Sequence, residues 1–266
     1  MQMLIDLLFV IGISIFSFFA ILLGALTKGG GLTASLVGIA IYFGIGAKGL
    51  VLLGCFFLSS TLWSRFRAME KEPAQSLAEK GDRRDTFQVL ANGGIASICA
   101  IMYGVIKEPL WIVAFSISLA SSNADTWASE IGVLSKRPPL LLSTLKRVEP
   151  GTSGAVSLLG TVSGFLGALF IAISAYMLWW NSVSWKEMIF ISLAGFLGML
   201  IDTWLGSFWQ KKTKCLVCGK ITEQTVHCGK KAAKISGFTY VNNDGVNLLS
   251  NIFATIFGIV AYLFLR

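Results

Sequence analysis

The chain has 266 residues, 55% of them hydrophobic and only 14% charged, with a mean hydropathy of +0.72. Soluble globular chains carry about 25% charged residues, so the composition excludes an ordinary soluble domain and predicts one all-α, polytopic membrane domain over 1–266. The net charge of +8 is spread over loops rather than gathered in one patch, so no nucleic-acid partner is expected.

Eight apolar segments follow one another, at about 4–26, 31–46, 48–64, 87–106, 110–134, 153–180, 187–209 and 246–265. A spanning helix needs ~20 residues, which predicts a bundle of about eight transmembrane helices. The first segment has no Lys or Arg before it and so lacks the basic start of a cleaved signal peptide. It is read as a helix. The pair 31–46 and 48–64 is short, and either two helices or a re-entrant hairpin satisfies it.

Of the 22 Lys and Arg, six lie in loop 65–86, four in 135–150 and seven in 210–245, with Lys28 after the first span. The other four, Lys48, Lys107, Lys186 and Arg266, fall singly in the alternate positions. By the positive-inside rule the three loops are cytosolic and both termini lie outside. The expected location is the plasma membrane. Loop 65–86 is mixed in charge and predicts a short amphipathic helix at the membrane surface. Pro138, Pro139 and Pro150 make a continuous helix over 135–150 unfavourable.

Small-residue clusters open the segments that leave the cytosolic side, at 27–35, 91–97, 151–157 and 242–247. Helix N-termini with free N–H groups suit phosphate, and ordinary capping and close helix contact explain the same residues. Lys28, Gly151, Thr152, Gly154, Asn243 and Asn247 are the phosphate-binding candidates in these clusters.

The fifth segment holds the strongest anomaly, "SSNADTWASEIG" at 121–132. At 100° per residue, Ser118, Ser121, Ser122, Asp125 and Ser129 share one helix face, and Glu130 flanks it. An ionised Asp in the bilayer costs at least ~2.5 kcal/mol, so Asp125 is expected to face protein or water with a partner. "IDTW" at 201–204 echoes "ADTW" at 124–127, and Asp202 shares its face with Gly195, Gly198 and Gly206. That small-residue face predicts close approach of the two Asp-bearing helices around a shared cytosolic cavity. "TSGAVSLLG" and "NNDGVNLLS" extend the echo and fit a duplicated two-helix unit.

Asp125, Asp202 and Asp244 are candidate Mg²⁺ ligands, because Mg²⁺ is held by one or two carboxylates together with substrate phosphates. Asp244 also reads as a helix cap. Ser121, Ser122 and Ser129 are candidate substrate contacts. Lys146 and Arg147, beside "GTSG", read either as a phosphate clamp or as topology signals. Glu130 completes the catalytic candidates. "CLVCGKITEQTVHCGK" sets Cys215, Cys218, His227 and Cys228 in a C-x2-C-x8-H-C order, a candidate zinc knuckle in a reducing cytosol, with adjacent His and Cys an awkward pair. Cys55 and Cys99 read as core. No phosphate-loop, protein-kinase or H-E-x-x-H motif is present, and His227 is the only histidine.

The block "SSNADTWASEIGVLSKRPPLLLSTLKRVEPGTSGAVSLLGT", with "IDTWLGSFWQ", the Cys/His run and "NNDGVNLLS", resembles the integral-membrane family known as domain of unknown function 92. That family includes transmembrane protein 19 and a plant phytyl-phosphate kinase. The resemblance implies a polytopic enzyme that phosphorylates an isoprenyl monophosphate to the diphosphate with a nucleoside triphosphate (CTP or ATP) and Mg²⁺. The block order is also similar to phytol and dolichol kinases and phosphatidate cytidylyltransferases. The alternative from another class is a transporter or lipid-handling protein that uses its intramembrane Asp residues without nucleotide turnover. Oligomeric state is not read from the sequence.

Overall fold

The computed structural model describes residues 1–265; Arg266, one of the four singly placed cations, lies outside them. The helices are α1 (Gln2–Leu22), α2 (Lys28–Ile45), α3 (Ala47–Arg65), α4 (Ala68–Gln75), α5 (Thr86–Ile106), α6 (Leu110–Gly132), α7 (Leu158–Leu178), α8 (Trp185–Phe208) and α9 (Asn243–Leu265). Short strands fill two of the loops. Between α6 and α7 lie β1 (Leu140–Leu141), β2 (Lys146–Arg147) and β3 (Ala155–Val156). Between α8 and α9 lie β4 (Lys212–Lys214), β5 (Ile221–Thr222), β6 (Val226–His227), β7 (Lys230–Lys231) and β8 (Ala233–Ser236). All pairings are antiparallel, in the orders β2-β1-β3, β5-β4-β8 and β6-β7.

Among the described residues, seven helices are long and apolar enough to cross a membrane: α1, α2, α3, α5, α7, α8 and α9. α2 and α3 are two such helices, turned by Gly46 at φ +87, rather than one re-entrant hairpin. α6 is as long as the others, at 23 residues, but too polar to join them on hydropathy. It is the centre of the bundle, buried without a break from Ile112 to Ala124 and packed against α3, α5, α7, α8 and α9. A helix wrapped by protein has no lipid face to satisfy, so its serines, Asn123 and Asp125 are tolerated where partners exist.

Glycine stripes bring the neighbours onto α6. A Cβ added at Gly164 or Gly167 of α7 would stand 3.2 Å from Ala124 O or 3.1 Å from Asn123 O. One added at Gly195 of α8 would stand 2.5 Å from Ala120 Cβ. Without hydrophobic drive between helices in lipid, such close contact and interhelical hydrogen bonds are what hold them. The bonds are present: Asn251 of α9 donates to Ser122 Oγ (2.7 Å) and accepts from Ser118 Oγ (2.8 Å), and Asn123 donates to Gly167 O (2.8 Å).

The three basic loops meet on one side of the bundle. α4 forms in loop 65–86 as its mixed charge predicts, burying Lys71 and Ala74. The 210–245 loop binds the segment after α4: Thr222 Oγ1 and Glu223 N donate to Leu77 O at 2.7 and 2.9 Å, and the Gln224 amide donates to Ser76 O and Ala78 O. Lys220 lies 3.5 Å from Glu149 of the middle loop. Buried Lys212 donates to Gly206 O (2.6 Å) and Ser207 O (2.7 Å), joining the third loop to the last carbonyls of α8. Burial pulls its ammonium down to about 8.

Candidate functional site

α6 and α8 run in close contact, and their acidic side chains meet. Gly198 of α8 sits against Ser121 of α6, so closely that a Cβ there would be 2.1 Å from Ser121 Oγ. One turn nearer the basic loops, Asp125 and Asp202 face the same cavity, close enough to interact electrostatically. α9 supplies the next contacts. Ser250 Oγ donates to Asp202 Oδ2 (2.9 Å), and the Asn247 amide, turned nitrogen-first, reaches the same oxygen at 3.0 Å.

Both carboxylates line a cavity of about 350 Å³ that opens among the basic loops. Seven carboxylates line it (Glu79, Asp82, Asp125, Glu130, Asp202, Glu223 and Asp244), against three cations, Lys71, Lys80 and Arg84. Lys71 and Glu130 pair at 2.8 Å, with Ser64 Oγ on the other Glu130 oxygen at 2.7 Å. Lys80 bridges Asp85 (2.6 Å) and Asp244. Desolvation alone would lower the Lys80 ammonium, but its two carboxylate partners outweigh it and hold it above the ordinary value. Burial pushes Glu223 up to about 7.

The sequence candidates divide. Asp125, Asp202, Asp244, Glu130, Ser129, Gly151, Thr152, Gly154, Asn243 and Asn247 all line this cavity. Ser121 and Ser122 do not: Ser121 packs on Gly198, and Ser122 donates to Asn92 O and accepts from Asn251, so both join helices beneath the cavity. Lys28 is exposed at the start of α2, outside the lining. Lys146 and Arg147 are also exposed and outside it: β2 is one edge of its sheet while β3, the other edge, lines the cavity, and Arg147 donates to Pro138 O at 2.7 Å. Adjacency to the glycine loop in sequence carries no direction, and the sheet sets β2 on the side away from the cavity-lining β3.

The helix starts also differ from expectation. α5 begins at Thr86, capped by Asp85 and Gln88 in a capping box, so 91–97 lies inside the helix. α7 begins at Leu158, capped by Ser157, and 151–157 is loop and strand. Thr27, Asp85, Ser157 and Asn242 each occupy a first-turn N–H with a side-chain oxygen, the ordinary capping use of such residues. Gly154, at φ +75, is needed for close approach: a Cβ would lie 2.1 Å from Ser207 N.

Metal fit can be judged from the donors. The Asp125–Asp202 pair is the two-carboxylate set Mg²⁺ takes when phosphates complete its shell. Asp244 does not gather with them: among the described residues no three acidic side chains come close enough to share one ion in this arrangement. It lies one turn before Asn247 on α9, where Lys80 takes one carboxylate oxygen; the other, Oδ1, is buried without a partner. Cys215, Cys218, His227 and Cys228 do gather, with ligand atoms within 4.8 Å of one another. His227 Nδ1 lies 3.6 Å from Cys218 Sγ and 3.2 Å from Cys228 Sγ. Tetrahedral zinc with usual bond lengths would set N and S about 3.6 Å apart. The adjacent His and Cys are accommodated because Cys228 adopts φ +51 and Gly229 φ +72 at the β6–β7 turn.

Sequence reasoning overlooked Lys71, Lys80, Arg84 and Glu223. Glu223 carried a signal, as the one acidic residue among the seven lysines of its loop before Asp244. The repeated "CGK" at 218–220 and 228–230 likewise marks two tight knuckle turns. Lys71, Lys80 and Arg84 arrive from a mixed-charge loop in which nothing distinguishes them.

Comparison with known proteins gives the same placement from another direction. The model of the integral membrane protein family DUF92 matches residues 11–255. An uncharacterized membrane protein of Methanocaldococcus jannaschii is 30% identical over 86% of this chain and 82% of its own. Protein PGR of Arabidopsis thaliana is 31% identical over 85% of each chain. The chloroplastic protein VTE6 of the same plant is 27% identical over 86% of this chain and 63% of its own. No solved structure matches. The chain therefore belongs to the DUF92 family of integral membrane proteins.

Proposed function

We propose that this protein is a membrane-embedded, Mg²⁺-dependent phosphotransferase. It uses a nucleoside triphosphate, CTP or ATP, to convert an isoprenyl monophosphate of the phytyl, geranylgeranyl or polyprenyl type to the diphosphate. The observation that carries this reading is the facing Asp125–Asp202 pair, brought from two helices into one cavity among the basic loops. The resemblance to a family with a phytyl-phosphate kinase supports the choice of lipid class. With the basic loops inside, the cavity faces the cytosol and both termini lie outside, in a plasma-membrane protein.

A cavity with seven carboxylates against three cations repels a triphosphate unless divalent cations enter with it. Mg²⁺ on Asp125 and Asp202 would neutralise and orient phosphate oxygens. Lys80 and Arg84 face the same space and add cations for the transferring group. Thr126, Ser129 and Thr203 offer hydroxyl donors at the lining. In the transfer, an acceptor phosphate oxygen bonds to the γ-phosphorus, the bond to the β–γ bridging oxygen breaks, and nucleoside diphosphate leaves. The acceptor is already an anion, so no general base is required.

The test is purified protein with labelled nucleoside triphosphate and geranylgeranyl or phytyl phosphate. Labelled isoprenyl diphosphate is expected, and only with Mg²⁺. No diphosphate across several chain lengths and nucleotides overturns the reading; Asp-dependent flux without nucleotide turnover would replace it with a transporter.

We propose further that Cys215, Cys218, His227 and Cys228 hold a structural zinc ion. Its place in the molecule is to brace the loop whose β5 end grips Leu77, three residues before Lys80. Elemental analysis should find one zinc per chain, lost in Cys218→Ser. Metal-free protein from chelator-free buffers would contradict it.

A further inference from the structure

A second cavity, of about 520 Å³, lies between α1, α2, α3 and α5. Its walls are hydrocarbon, with Phe9, Ile13, Phe16, Val37, Leu53 and Phe57 among them. The volume is in the range that encloses a ligand of moderate size. One end of it is different. Arg84, Gln88 and Asn92 line this apolar space and also line the acidic cavity that holds Asp125 and Asp202. The two cavities therefore share a polar wall.

Arg84 sits at that wall with no acidic side chain in contact: no carboxylate lies within 4.0 Å of its guanidinium among the described residues. Its guanidinium lies over the Phe57 ring, 5.5 Å from the centroid, and donates to Thr61 Oγ1 at 3.0 Å. Burial pulls it below its ordinary value, against the opposing pull of the Glu130 charge. A guanidinium never loses its proton in practice, so a half-buried one with no carboxylate in contact, and Glu130 acting on it only from beyond 4.0 Å, is favourable for an incoming anion. A plain lipid-facing groove has no reason to end on such a group. A single apolar chain with an anionic head meets both requirements at once, the chain in the hydrocarbon cavity and the head on Arg84.

We propose that this cavity binds the hydrocarbon chain of an isoprenyl phosphate and that Arg84 receives its phosphate at the entrance to the acidic cavity. The proposal rests on the isoprenyl-phosphate reading above for the identity of the chain. It adds a chain-length gauge. Gly54 of α3 lines the cavity, and a Cβ there would meet nothing within 4 Å. A larger side chain at this position starts from open space on the cavity wall, and it replaces a poor helix former with a good one.

The probe is farnesyl phosphate bearing a diazirine on its chain, added to the full-length protein in detergent without nucleotide, with labelled peptides mapped by mass spectrometry. Label is expected on α1 and α3, competed by geranylgeranyl phosphate and not by dioleoyl phosphatidic acid. Gly54→Leu should reduce it at least tenfold, and Arg84→Gln should weaken it without moving it. In turnover assays Gly54→Leu should raise the ratio of geranyl to geranylgeranyl phosphate use at least tenfold. Label on the outward faces of α7 or α8, or equal competition by phosphatidic acid, overturns the proposal. So does an unchanged chain-length ratio in an active Gly54→Leu protein, which would leave the phosphotransferase reading standing. Label in the cavity with no turnover in any assay would do the reverse, supporting this site and removing that reading.

Discussion

α1 and α6 are both long helices, and they invert the usual relation between hydropathy and burial. α1 is the most apolar span, with a hydropathy of 2.5, yet only 11% of it is buried and Asp6 is its one charged residue. α6 fails the hydropathy test and has no exposed residue from Ile112 to Ala124. Hydropathy in a membrane protein thus reports which helix faces lipid. The helix that faces protein can afford polar atoms, and the candidate chemistry sits there.

Substitutions around α6 and α1 should break in the order this contrast predicts. The largest stability loss is expected at Lys71→Met. It strips Glu130 of a partner whose side chain is 1% exposed, and unpairing a buried charge costs about 3–5 kcal/mol; Glu130 is less deeply placed, so about 3 is expected in a detergent unfolding titration. Gly198→Leu should follow at about 1–3 kcal/mol through overpacking, with Ser121 Oγ and Ala254 Cβ in the way. Asn251→Ala removes interhelical bonds to α6 and should cost about 0.6–1.7 kcal/mol. Leu22→Ala on α1, 63% exposed, should change stability by less than about 0.5 kcal/mol. An equal cost at Leu22 and Asn251 would erase the contrast.

A pH series probes the loop side of the same cavity. Glu223 has a folded value of about 7 against an ordinary 4.5, so folding favours its protonated form. The stability this brings is complete below about pH 4.5 and is lost as pH rises through 7. Wild-type melting temperature should therefore fall between pH 5 and 8 by an amount equivalent to about 1–3 kcal/mol. Glu223→Gln should show a shallower slope, since the other buried carboxylates of the cavity remain. A parallel fall in both proteins would assign it to other groups.

What could be read from the sequence depended on whether the signal was local. The Ser118–Ser129 stripe obeys helix geometry, and the energetic penalty on Asp125 and Asp202 demands a protein or water environment, so their approach could be anticipated. The serines were half understood: Ser129 lines the cavity, while Ser121 and Ser122 hold helices together. Lys146 and Arg147 lie away from the cavity because pairing with β1 puts β2 on the far side of the sheet from β3, an order that no local pattern reports. Lys71 and Arg84 reach α6 and the cavity wall across long sequence separations, which no periodicity reports. Asp85 starts α5 before the 91–97 cluster and Ser157 starts α7 only at the end of 151–157, because a cap needs a side-chain acceptor at the helix start.

The central claim is that the α6 carboxylate acts on phosphate and the α1 carboxylate does not. Asp6 accepts from Tyr42 Oη (2.8 Å) and Gln2 (2.9 Å) and lines neither cavity. The direct measurement is Mg²⁺-dependent phosphoryl transfer to geranylgeranyl phosphate by wild type, Asp125→Asn, Asp202→Asn and Asp6→Asn, each purified folded from the membrane. Loss of both α6–α8 carboxylate activities by about a thousandfold or more, roughly 4 kcal/mol of barrier, with Asp6→Asn within twofold of wild type, is the predicted result. Wild-type turnover that survives Asp125→Asn would contradict it.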